Sequence, residues 1–74
     1  MAYKPNATER KHKDTLEKHG YELVFNRDEH YYYLTPLTDT APQIKEQGLY
    51  GMQVTIMTVE EMEKELLDRI EDFK

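Results

Sequence analysis

Histidine is the residue type here best equipped for metal or proton chemistry, and His12 and His19 are the pair to weigh. Seven positions apart on one helical stretch, they are separated by ~10.5 Å of rise, more than a single ion bridges. No third ligand stands at metal-site spacing, so no metal is expected. Both are expected to face solvent. Near its helix C-terminus, His19 is favoured by the helix dipole when protonated.

Nucleophilic catalysis finds little support. The chain has neither serine nor cysteine, which removes the commonest triads. Thr8, Thr15, Thr35, Thr38, Thr40, Thr55 and Thr58 read as caps and strand residues. Carboxylates are plentiful, but Glu60, Glu61, Glu65, Asp68 and Asp72 are expected to point into solvent. A working acid needs burial or a fixed partner to move its pKa. Three scattered glycines make no phosphate loop. The expectation is a protein that is not an enzyme and carries no cofactor.

What remains is aromatic. Tyr31-Tyr32-Tyr33 follows the alternating run Tyr21–Asn26, with Arg27-Asp28-Glu29-His30 between them polar enough to turn. A four-residue loop pairs Asn26 with Tyr31, Phe25 with Tyr32, Val24 with Tyr33 and Leu23 with Leu34. That register buries Leu23, Phe25, Tyr32 and Leu34 together and leaves Val24, Tyr31 and Tyr33 on the other face. A slip by one residue would exchange the tyrosines between faces and expose Leu34.

The flanking elements must position this hairpin. Asn6 and Glu9 form a capping box for a helix over Ala7–His19, which Gly20 stops with Leu16 and Tyr21 in contact across the turn. Leu16 is nearly alone on a polar helix, with Ala7 and the ring edges of His12 and His19 as weak support, so this element is expected to be the most loosely held. Pro36 ends the second strand. In the irregular stretch 38–48, Thr40 and Gln43 resemble a capping box, and either a short helical turn with Ile44 inward or a plain loop fits. Leu49–Met57 alternates as a third strand. Tyr50, Met52, Val54 and Ile56 are expected on its core face, and Leu49 and Met57 on the other. Gly51 marks a bulge or the close approach of another backbone.

Thr58 and Glu61 cap the last helix, whose Val59, Met62, Leu66, Ile70 and Phe73 form one apolar stripe. Glu60–Lys64 and Glu65–Arg69 are favourable pairs at four-residue spacing. The expected architecture is a single small α+β domain. It has a three-stranded, mainly antiparallel sheet with N- and C-terminal helices on one face, in the order α-β-β-β-α.

Composition bounds the function. The 74 residues hold one small core, with no disulfide to reinforce it. The absence of cysteine fits a reducing compartment, and neither a signal-peptide core nor a membrane span is visible, so a cytoplasmic protein is expected. The net charge is −5. Lys4, Arg10, Lys11, Lys13 and Lys18 share the N-terminal segment with acids and make no dense basic cluster.

With helices enough for one face of the sheet only, Val24, Tyr31, Tyr33, Leu49 and Met57 are expected to form an exposed partner-binding surface. The partner is another protein, bound by a regulator or inhibitor, or a second copy of the chain in a homodimer. Single-stranded nucleic acid stacked on the tyrosines is the alternative, opposed by the acidic charge. In style the chain resembles the small accessory proteins of phages and prophages.

Overall fold

Local rules account for most of the elements. In a computed structural model, which describes residues 6–74, Asn6 caps a helix at Ala7–Glu17 (α1). Its side chain accepts from the Glu9 amide at 2.8 Å, and the Glu9 carboxylate accepts from the Asn6 amide at 2.7 Å. The helix stops two residues short of the expected end. Gly20 then turns the chain with φ +84°, a conformation glycine adopts without a Cβ penalty. Leu16 and Tyr21 on either side of this turn are both buried in the core.

Strands Tyr21–Asn26 (β1) and Tyr31–Pro36 (β2) pair antiparallel in the expected register, Asn26 with Tyr31 through Leu23 with Leu34. Between them Asn26 organises the loop, its side chain accepting the amides of Asp28 and Glu29. His30 takes a left-handed backbone there, with φ 58°. A third strand, Gly48–Tyr50 (β3), joins the far side of β2, giving an open antiparallel sheet in the order β1-β2-β3.

The segment read as one long strand divides at Gly51. Only Gly48–Tyr50 is extended, and Gly51–Ile56 is a short helix (α2). Its amide donates to His30 O at 3.1 Å, and a Cβ on Gly51 would stand 2.7 Å from that same oxygen. The close backbone approach is therefore what the glycine permits. Thr55 closes the helix with a hydroxyl bond to the Gly51 carbonyl at 2.8 Å. The two-residue alternation of Met52, Val54 and Ile56 misleads in so short a helix. Val54 turns inward and is fully buried, while Met52 and Ile56, four apart, share the outer side.

Helix Val59–Phe73 (α3) opens on the Thr58–Glu61 capping box and presents Met62 and Leu66, both fully buried, to the core. Burial of each contributes ~1.5–3 kcal/mol. Ile70 packs partly on the core, whereas Phe73 remains half-exposed. Arg69 pairs with Glu65 at 2.8 Å as its spacing implies, but Lys64 pairs with Asp68 at 3.0 Å instead of Glu60. Residues 38–47 form bends without a helix, so the Thr40–Gln43 box is not made, although Ile44 does pack against the core.

The expectation of a loose α1 is corrected. Glu9, His12 and Leu16 are all buried. Asn6 Nδ2 donates to Tyr32 Oη at 3.0 Å, Lys11 Nζ to Met57 O at 2.8 Å, and His19 meets Glu63 of α3 at 2.9 Å. Polar side chains do the work that an apolar stripe does in α3. No helix among the described residues is long and apolar enough to cross a membrane.

Candidate interaction surface

The register fixes which side chains share a face. Tyr21, Leu23, Tyr32, Leu34 and Leu49 point to the side where Leu16, Val54, Met57, Met62 and Leu66 complete the core. Val24, Tyr31 and Tyr33 point away from it and stay partly exposed. Tyr50, opposite Tyr31, joins them and is 64% exposed.

Two of the five residues expected on this surface therefore lie elsewhere. Leu49 is opposite Tyr32, which places it in the core, and Met57 closes the core below α2; both are buried. The face assigned to the third strand is inverted, because the pairing of Leu49 with Tyr32 sets the parity and the chain leaves the sheet at Gly51. Val24, Tyr31 and Tyr33 are the three brought together, and Tyr50 is the residue that parity reasoning missed.

The tyrosines are held in place without being covered. Tyr31 stacks at a tilt on Tyr50, with centroids 4.9 Å apart, and lies 6.3 Å from the Tyr33 ring. Both Tyr31 and Tyr33 lean over Gly48, where an added Cβ would meet their ring carbons at 3.4 and 3.5 Å. Aromatic rings beside a strand glycine replace the packing it cannot supply. The Tyr33 hydroxyl donates to Glu29 Oε1 at 2.6 Å, and this bond raises its pKa above the ordinary phenol value. Tyr31 is raised too, chiefly through its hydroxyl interaction with Tyr50. Both Tyr31 and Tyr33 are therefore neutral phenols at physiological pH.

Beyond Tyr31 and Tyr50 the surface continues into a groove of about 820 Å³ between the hairpin loop and the outer side of α2. Phe25 and Tyr32 line its floor, and Met52 and Ile56, 87% and 80% exposed, stand at its margin. Large apolar side chains so exposed are informative where they cluster.

The histidines are not at this surface. His12 is fully buried, not solvent-facing, because α1 packs that side against the core, and neither ring nitrogen has a hydrogen-bond partner among the described residues. Burial first, and the neighbouring Lys11 ammonium second, push its pKa down. The nearby Val54 backbone opposes this in part without reaching hydrogen-bond geometry. His19 is drawn onto Glu63, whose carboxyl is held below its usual value by His19 and then Lys18. Among the described residues no three histidine or carboxylate side chains are grouped to hold a metal.

The basic residues of α1 sit on the core side of the sheet, away from the tyrosines, and several are engaged. Lys11 caps Met57 O, Lys13 pairs with Glu17 at 2.9 Å, and Lys18 meets Glu63 at 3.3 Å. Lys4 lies outside the described residues. No protein-family model matches this chain, and no curated protein or solved structure matches it significantly.

Proposed function

We propose that this chain is a small non-enzymatic interaction module that binds another protein through the tyrosine-bearing face of its sheet, as a regulator or inhibitor does. The observation that carries the reading is the grouping of Val24, Tyr31, Tyr33 and Tyr50 on the face opposite the core. Such a face combines broad apolar area, few rotors and hydroxyls that a partner must satisfy. The acidic outer side of α3 would steer a basic target during approach. A cysteine-free chain suits a reducing compartment, so the cytoplasm is where this binding is expected.

Stacking of single-stranded nucleic acid is the weaker reading. It needs cations beside the aromatic face, and here Glu29 borders it while the lysines of α1 lie behind the sheet.

The test replaces Tyr31 and Tyr33 together by serine. Both rings lie outside the core, so far-UV circular dichroism should be retained while a partner captured by the wild-type chain from its native host is lost. Retention of that partner by a folded double variant, or unfolding of the variant, removes the proposal.

A further inference from the structure

We infer that a second copy of this chain occupies the groove beside α2, forming a two-fold dimer in which each α2 packs on the other. The inference differs from the partner reading in centring on Met52 and Ile56 of α2, although Tyr31 and Tyr50 border both surfaces.

Charge is the first argument. The chain is 34% charged and carries −5 overall, so a contact between copies is favoured where it does not set acid against acid. Between Glu46 and Glu60 there is no charged side chain, the longest such interval in the sequence, and this interval contains β3 and α2. Its outer surface, Tyr50, Met52, Gln53, Thr55 and Ile56, is where like-charged copies meet without repulsion. Glu29 is the acid that lines the groove; it keeps its charge at the margin, where it accepts the Tyr33 hydroxyl.

Shape is the second. A two-fold interface uses one patch twice, so that patch must carry both the protrusion and the recess. Here Met52 and Ile56 protrude and the groove floored by Phe25 and Tyr32 receives, side by side on one surface. Methionine, unbranched and polarizable, fits an irregular recess well.

Area is the third. From their exposed fractions, Tyr50, Met52 and Ile56 offer on the order of 450 Å² per chain, over half of the ~800 Å² each partner contributes to a standard interface. The groove walls, Tyr31 among them, supply the remainder. A domain of 74 residues without disulfides is also of the size that gains stability by pairing.

Analytical ultracentrifugation of the full chain over a wide concentration range tests this. Wild type should pass to twice its 8.9 kDa mass, and Met52→Glu and Ile56→Glu should each weaken the dimer by ~100-fold or more, since symmetry introduces every carboxylate twice. Both positions are so exposed that circular dichroism and thermal unfolding of the monomer should not change. Tyr33→Ser, outside the groove, should dimerise as wild type does. A wild-type chain that stays monomeric into the millimolar range, or a dimer indifferent to both glutamates, overturns the inference.

Discussion

Glu9 of α1 accepts the main-chain amide of Phe25 at 3.1 Å, on the edge of β1 that faces away from β2. The same carboxylate closes the capping box at Asn6, so one buried side chain starts a helix and fastens it to the sheet. Two amides depend on two oxygens. Glu9→Gln keeps the shape but turns one acceptor into a donor, and it should cost ~1–3 kcal/mol. The urea midpoint should fall with the denaturant slope unchanged.

His12 sets a pH dependence near neutrality. Its folded pKa is lowered, so below the ordinary imidazole value the unfolded chain binds more protons than the folded one. Stability is therefore complete above about pH 6.5 and falls as the pH drops towards the depressed folded value. The lowered Glu63 carboxyl adds a separate loss at more acid pH, below the usual carboxylate range. His12→Leu should remove only the upper window. Because both ring nitrogens are without partners, the substitution should leave stability at pH 7.5 unchanged or higher. Thermal unfolding between about pH 2 and about pH 8 reads both effects.

Gly51 is required by contact, not by a positive φ. A methyl group there meets the His30 carbonyl at 2.7 Å, and that oxygen belongs to the hairpin loop backbone. Gly51→Ala should cost ~1–3 kcal/mol by forcing α2 from the loop. Since α2 carries Met52 and Ile56, the variant should also lose self-association in sedimentation at temperatures where it remains folded.

Arg69 reaches from α3 to two carbonyls, Glu46 O at 2.8 Å and Gly48 O at 3.1 Å, while held by Glu65. It anchors the end of the irregular segment before β3. Arg69→Ala should cost ~1–2 kcal/mol. Amide hydrogen exchange should accelerate first in residues 43–50, with α1 and β1 little changed.

The hairpin was legible because its polar loop and the burial of Leu34 leave one workable register, and α3 because its cap and stripe agree. The third strand was not. Alternation over Leu49–Met57 fits a strand, yet a contact between Gly51 and His30 of the hairpin loop decides the local conformation. The same misreading puts Leu49 and Met57 on the exposed tyrosine face and Tyr50 in the core. The docking of α1 was hidden for a different reason. Its attachments are a glutamate, a lysine and two histidines, residue types that hydrophobic patterning counts as solvent-facing. Val24, Tyr31 and Tyr33 were placed correctly because hairpin parity alone determines their side.

The Arg69 fork occupies main-chain oxygens on the outer side of β3, as Glu9 occupies an amide on the outer side of β1. Part of the outward-facing backbone on each rim is thus already taken, which shortens the row of groups on which an incoming strand could zip. Growth into cross-β fibrils should therefore quicken once α1 or α3 peels away and frees those groups.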